Sequence, residues 1–224
     1  MDDTQRYYRE LTAFRDIVQQ NDPGQKFEKI LVLGCGNGQE AVMMQRLFDT
    51  ATVGIDIHEN FVPGLSAEIE LVSYDGVDLP FPADSFDMVY SYHVLEHVEH
   101  PRNLISNVQR VLRPSGVFYL GVPNKDRIVG YFGMKNRTLW QKVTFNIRDW
   151  HKRLTNQWKN PMAHAGFSHT ELEELLNSYF TSVSAVSKDY YLNKWPQLER
   201  FLHLLWQNGW HRRMSPSLYM LAQK

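Results

Sequence analysis

The hydrophobic positions change rhythm along the chain. Between Tyr7 and Gln20 they recur at Tyr8, Leu11, Phe14 and Val18, the spacing of an amphipathic helix. Asn21-Asp22-Pro23-Gly24 then supplies residues that end one. Ile30-Leu31-Val32-Leu33 is different: a short unbroken apolar run stopped by glycine, as expected of a strand buried on both faces. The reading continues with a helix over 40–48 and strands over 52–56, 69–73 and 86–90. A helix over 104–112 should stop at Pro114 and Gly116, and a fifth strand should cover 117–122. Strands alternating with helices predict an α/β fold around a parallel sheet with right-handed crossovers.

After Asn124 the alternation breaks. Residues 125–161 hold no obvious strand and read as an insertion of helices and loops. The pattern resumes with a helix over 168–178, for which Ser168 is the candidate N-cap and Glu171 its reciprocal partner. A sixth strand is expected over 183–186, running on towards Tyr191. A second helical insertion should span 197–210, and 218–221 should form the seventh strand. The expected organisation is one domain over 1–224. Its first half, 1–123, binds a cofactor, and 124–165 and 191–214 form a lid for the substrate.

Composition narrows the class. Net charge is −1, from 24 basic and 25 acidic residues, so bulk electrostatics does not announce a nucleic-acid binder. Cys35 is the single cysteine, which excludes an intramolecular disulfide and suits a reducing, cytoplasmic compartment. The N-terminus has neither the basic start nor the apolar stretch of a signal peptide, and no apolar run approaches a membrane span. The charge is uneven, however. Residues 40–99 carry twelve Asp and Glu against Arg46 alone, whereas 125–159 carry nine Lys and Arg against Asp126 and Asp149. Either the two segments compensate each other, or the basic one meets an anionic substrate or surface.

The candidate chemistry starts at Gly34-Cys35-Gly36-Asn37-Gly38. A glycine loop between a parallel strand and a helix brings backbone N–H groups together and lets the backbone approach a ligand closely. The spacing is Gly-x-Gly-x-Gly, with Gln39 where a dinucleotide fingerprint wants its third glycine. Asp56 ends the second strand, 18 residues after Gly38, and its two oxygens can accept both hydroxyls of a ribose. Asp75-Gly76 follows the third strand, where the carboxylate could accept an adenine amino group. Ligands bind at such carboxyl ends in open α/β sheets.

Ile30 to Gly38, Val53 to Asp56, Asp75 to Phe81, Phe86 to Val89, Leu95-Glu96-His97-Val98 and Arg110 to Gly116 follow in order the motifs of class I S-adenosylmethionine-dependent methyltransferases. The chain resembles their small-molecule branch, similar to the ubiquinone and menaquinone biosynthesis enzymes, over roughly residues 28–123. The resemblance implies a Rossmann-like, seven-stranded, mostly parallel sheet whose last strand is antiparallel. It implies S-adenosylmethionine as cofactor, with Gly34 and Gly36 at the methionine moiety, Asp56 at the ribose, Asp75 and Gly76 at the adenine, and the Tyr92 backbone at the methionine end. Cys35, Gly38, Ile57 and His93 complete the expected cofactor-binding set.

Methyl transfer to oxygen or nitrogen can need a base. His97 is the first candidate, with a structural histidine as the equal alternative; the resemblance adds His164 as the second, since similar turns in the family face the acceptor site, with capping of the neighbouring helix as its alternative. Asn124, after the fifth strand, is a candidate for orienting substrate or for a simple turn role. His93-Val94-Leu95-Glu96-His97 also spells an inverted zinc-protease pattern, but it follows a strand rather than lying on an isolated helix. Some ubiquinone-type relatives carry a metal near Glu-x-x-Glu-His, and His93 replaces the first of those carboxylates, so no metal site is assigned. Tyr131, Phe132, Trp140, Trp150 and Trp158 should form the insertion's small core or line an acceptor pocket. The expected partner is a small-molecule acceptor, with an anionic group if the basic segment faces it. Nucleic acid is disfavoured because no separate recognition domain is visible. The rival readings are a nicotinamide-dependent oxidoreductase and a methyltransferase-like module that binds without turnover.

Overall fold

The structure is a computed structural model that describes residues 3–21, 24, 26–128, 130, 137–155 and 166–224. The first helix, α1 (Asp3–Asn21), is followed by β1 (Lys29–Leu33), α2 (Gln39–Phe48), β2 (Ala51–Asp56), β3 (Glu70–Ser73) and β4 (Phe86–Tyr92). Then come α3 (Pro101–Val111), β5 (Leu112–Pro123), α4 (Leu139–Leu154), α5 (His169–Asn177) and β6 (Ser182–Ala185). Three helices, α6 (Ser187–Lys194), α7 (Glu199–Gln207) and α8 (His211–Met214), precede β7 (Ser217–Gln223).

The seven strands form one sheet in the order β3-β2-β1-β4-β5-β7-β6. The β3-β2, β2-β1, β1-β4 and β4-β5 pairs are parallel. Strand β7 runs antiparallel to both β5 and β6. This is the Rossmann-like sheet expected, with its last strand reversed. Because β3, β2, β1 and β4 are parallel neighbours, the loops after all four open on the same edge.

The unbroken apolar run of β1 is explained by burial on both faces. Leu31 and Leu33 join one core cluster with Leu104, Ile105, Val108 and Val111 of α3 and Leu172, Leu175 and Leu176 of α5. Ile30 and Val32 join the other, with Phe14 and Ile17 of α1, Met44 of α2 and Tyr190 of α6. Each such side chain contributes roughly 1.5–3 kcal/mol on burial. Helix α3 begins with Pro101 at its first position, where the missing N–H costs nothing. The capping box read at Ser168 is present: the Ser168 hydroxyl accepts from the Glu171 N–H, and the Glu171 carboxylate accepts from the Ser168 N–H.

Two boundaries differ from expectation. Strand β5 starts at Leu112, because Phe86 pairs with Leu112 and Met88 with Val117, and Pro114-Ser115-Gly116 bulge out between the two pairs. Strand β6 does not run on to Tyr191. Residues 187–194 are helical, since only a helix turns the adjacent Tyr190 and Tyr191 both onto Tyr219, at ring distances of 3.6 Å and 5.9 Å. The Ser187 hydroxyl accepts the Tyr219 N–H at 2.9 Å and anchors that helix on β7.

Among the described residues of the first insertion there is one helix, α4. Its Trp140 is 77 % exposed and Trp150 is also exposed, so these two do not form a small core. Tyr131, Phe132 and Trp158 lie outside the described residues. The chain returns beside β5 at an isolated parallel bridge between Asn124 and Phe167. Gly166 makes that return possible, with φ of 76° and no room for a side chain: a Cβ there would lie 1.9 Å from the Pro123 carbonyl oxygen.

Candidate active site

The loop from β1 to α2 is bent by Gly34, Gly36 and Gly38, at φ of 74°, 57° and 89°. The Gly34 and Cys35 N–H groups donate to the Ile55 carbonyl and tie the loop to β2. A Cβ on Gly34 would lie 2.1 Å from Val94 Cγ2, so the segment after β4 packs directly on this glycine. A Cβ on Gly36 would meet nothing within 4 Å. The loop is therefore closed on Val94 at Gly34 and open at Gly36, and of the two only Gly34 lines the cavity described below. Gly38 packs against Leu71 and precedes the first turn of α2.

Asp56 is held in place by backbone donors. Its Oδ2 accepts from the Gly36 N–H at 2.8 Å and its Oδ1 from the His58 N–H at 3.0 Å. Each oxygen keeps acceptor capacity for a hydroxyl. Asp75 Oδ1 accepts from the N–H groups of Val77 and Asp78. Those two donors hold its carboxyl below the usual carboxylate range. Gly76 has φ of 81°, and a Cβ there would press Ile57 at 3.2 Å. Behind them, burial pushes the Tyr74 phenol up to about 12, with the charges of Asp56 and Asp75 adding to it, so it stays neutral.

After β4 the backbone makes a strained turn. His93 has φ of 57°, uncommon for a residue with a side chain, and its N–H donates to the Gly121 carbonyl at 2.8 Å. The His93 Nδ1 lies 2.9 Å from Glu96 Oε1. His97 Nε2 lies 3.9 Å from the same oxygen.

These pieces surround one cavity of about 750 Å³. Of the residues singled out from sequence, Gly34, Asp56, Ile57, Asp75, Gly76, His93 and His97 line it. Four strands, β1 to β4, and the loops after them are needed to bring them there. Sequence reasoning missed Tyr74, His100 and Asn103, which also line it. The signal was their position: Tyr74 abuts Asp75, and the other two begin α3. Cys35 points away from the cavity into the core, where burial pushes its thiol up to about 12, helped by Asp56 and Glu40. Asn124 is 1 % exposed and does not line the cavity. Its amide donates to the Arg212 and Ser215 carbonyls and accepts from the Asp126 N–H, which is a clamp between the end of β5 and the approach to β7. His164 lies outside the described residues.

A second, apolar cavity of about 160 Å³ is lined by Tyr191, Trp195, Leu202, Trp206 and Met214, among others. Tyr191 packs on Tyr219, whose ring in turn stacks 6.3 Å from Tyr92 at the end of β4. Two basic residues of the first insertion are used internally. Lys125 pairs with Glu171, and Arg127 lies 3.6 Å from the buried Asp149. Among the described residues, no group of three or more His, Cys, Asp or Glu is set to hold a metal ion. No described helix is long and apolar enough to cross a membrane.

Residues 31–120 match the family model described as a methyltransferase domain. Over 103 residues the chain is 34 % identical to 27-O-demethylrifamycin SV methyltransferase of Amycolatopsis mediterranei, covering 42 % of this chain and 38 % of that protein. Over 177 residues it is 28 % identical to malonyl-[acyl-carrier protein] O-methyltransferase of a Paenibacillus species, covering 69 % of this chain and 60 % of the relative. The chain thus spans well under half the length of the first curated relatives it matches. In structure it is similar to the plantazolicin methyltransferase BpumL in complex with S-adenosylhomocysteine, at a TM-score of 0.64, 15 % identity, and coverage of 100 % of this chain and 85 % of the other. It is also similar to the [4+2]-cyclase SpnF, at a TM-score of 0.55, 18 % identity, and coverage of 93 % and 78 %. The fold is therefore shared by a protein whose named reaction is not methyl transfer.

Proposed function

We propose that this chain, whose residues 31–120 match the methyltransferase-domain model, is an S-adenosylmethionine-dependent methyltransferase acting on a small molecule. The observation that carries the reading is the convergence of Gly34, Asp56, Asp75 and Gly76 on one cavity of about 750 Å³. The residues fit the cofactor. Gly34 brings bare backbone to the cavity, Asp56 offers free acceptor capacity for ribose hydroxyls, and Asp75-Gly76 offers an acceptor and an N–H for an adenine edge. Gln39 stands where the dinucleotide fingerprint has its third, helix-packing glycine, which favours this cofactor over a nicotinamide dinucleotide.

When bound, the cofactor would supply a methyl group activated on a sulfonium, with a neutral thioether as leaving group. The chain's residues hold, orient and desolvate the reactants, which can account for most of the rate. Val94 seals the glycine loop, and His93 and His97 bring imidazoles to the same space for an acceptor that must lose a proton. His97 and His164 stand as candidate bases, and Asn124 acts on substrate only through the clamp it forms. The acceptor's apolar part suits the aromatic cavity beside Tyr191, and exposed basic residues such as Arg148 suit an anionic group. Residues 124–165 and 191–214 are the lid over it. A free Cys35 thiol suits the cytoplasm.

The test is a screen of metabolite pools with methyl-labelled S-adenosylmethionine. Label should move to a small molecule. Tight cofactor binding with no turnover on any pool would instead make the chain a binding module.

A further inference from the structure

Glu96 is a carboxylate side chain only 2 % exposed. It stands between two histidines of the cavity, and its Oε2 is buried with no hydrogen-bond partner among the described residues. A buried acceptor left short of partners is costly and persists where function requires it. The geometry points to a catalytic pair: His93 is the general base, and Glu96 is the residue that positions it. This rests on the methyltransferase reading and deepens it, because it assigns the base and restricts the acceptor to a group with a proton to lose, a hydroxyl or an amine.

Four observations separate His93 from His97. The His93 Nδ1 is within hydrogen-bonding distance of Glu96, at 2.9 Å, whereas His97 is 3.9 Å from the same oxygen. The His93 backbone is fixed as well, by its N–H on Gly121 and by the left-handed turn at φ of 57°. A strained turn at a ligand cavity is maintained only when the surroundings over-determine it. The ring also rests edge-on against Tyr92, at 4.3 Å. The His93 side chain is 32 % exposed and His97 45 %, so the less solvated ring is the better oriented one.

The chemistry follows from the donor inventory. An ionised carboxylate only accepts, so Glu96 selects the His93 tautomer with its proton on Nδ1. The nitrogen left with a lone pair is Nε2, on a ring that lines the cavity. When an acceptor hydroxyl or ammonium gives its proton to Nε2, the electron pair stays on the acceptor atom. The imidazolium formed is balanced by the Glu96 carboxylate beside it. A base oriented by a third group is the recurring arrangement for activating a nucleophile.

The experiment uses the full chain labelled with 15N-histidine, with S-adenosylhomocysteine added and its binding measured separately by calorimetry. Long-range 1H–15N correlation reads the tautomer of each neutral imidazole. His93 should carry its proton on Nδ1. In Glu96→Ala it should revert to the Nε2–H form, while His97 stays unchanged. Glu96→Gln keeps the volume and an acceptor oxygen, so it should retain the Nδ1–H form and serve as the folded control. On an acceptor found by the screen, His93→Gln should lower kcat by about 100-fold, with KM changed little. A wild-type His93 protonated on Nε2, or an unaltered tautomer in Glu96→Ala, overturns the pair even if the cofactor binds. An acceptor without a transferable proton also overturns it. Failure of S-adenosylhomocysteine to bind overturns the methyltransferase reading instead, whatever the tautomer.

Discussion

Gly34 and Gly36 share a left-handed backbone but face different surroundings. An alanine at position 34 would drive its Cβ into Val94, whereas one at position 36 meets no atom. Gly34→Ala should therefore lower thermal stability by several degrees and abolish cofactor binding. Gly36→Ala should cost only about 1–2 kcal/mol of backbone strain and change cofactor binding far less, because its methyl meets no atom and Gly36 does not line the cavity. Differential scanning calorimetry and titration of each variant check both halves of this pair. Cys35 behaves differently from its neighbours, as a core residue within the loop. With its thiol pushed up to about 12 by burial, the native protein should resist iodoacetamide at pH 8 for hours. The unfolded chain should take up one label, as mass spectrometry would show. Rapid native labelling would place the thiol in solvent.

At the scale of elements, Asp87 ties the start of β1 to β4 and to the bulge of β5. Its Oδ2 accepts from the Glu28 and Lys29 N–H groups, and its Oδ1 from Arg113. Burial opposes the charge, but the Lys29 and Glu28 donors and Arg113 prevail and hold the carboxyl below its usual range. The folded value is thus lower than the unfolded one. The contribution is full above the unfolded value, near pH 4, and is lost as pH falls through the folded value. Asp87→Asn should cost about 1.5–3 kcal/mol at pH 7, and the gap to wild type should close in strong acid. Urea titrations at both pH values measure it. The first five strands were legible because apolar runs bounded by glycine or acid leave little else for Ile30 to Leu33 or Val53 to Asp56 to be. Helix α6 was not, because Tyr190 and Tyr191 suit a strand as well as a helix, and the choice depends on Tyr219, some thirty residues away. The bulge at 114–116 was equally hidden, since it is set by the pairing of Leu112 with Phe86.

The whole molecule assembles its cavity by sheet order. Residues 34, 56, 75 and 93 are far apart in sequence, yet β3-β2-β1-β4 lines up the strands that precede them. Seven of the residues chosen from motifs line that cavity, because each motif sits at a strand's carboxyl end. The His93–Glu96 contact could not be read the same way. Spacing places both groups after β4, but the φ of 57° that turns the His93 ring towards Glu96 follows from the Gly121 carbonyl on another strand. The clamp at Asn124 was hidden for a similar reason, since its partners at 212 and 215 are long-range. The most direct test of the assembled site is calorimetric titration of the full chain with S-adenosylmethionine, alongside its Asp56→Ala variant and NADH. One cofactor should bind per chain, at least tenfold more weakly in Asp56→Ala, and NADH should give no heat. Binding of NADH with no response to S-adenosylmethionine would contradict this.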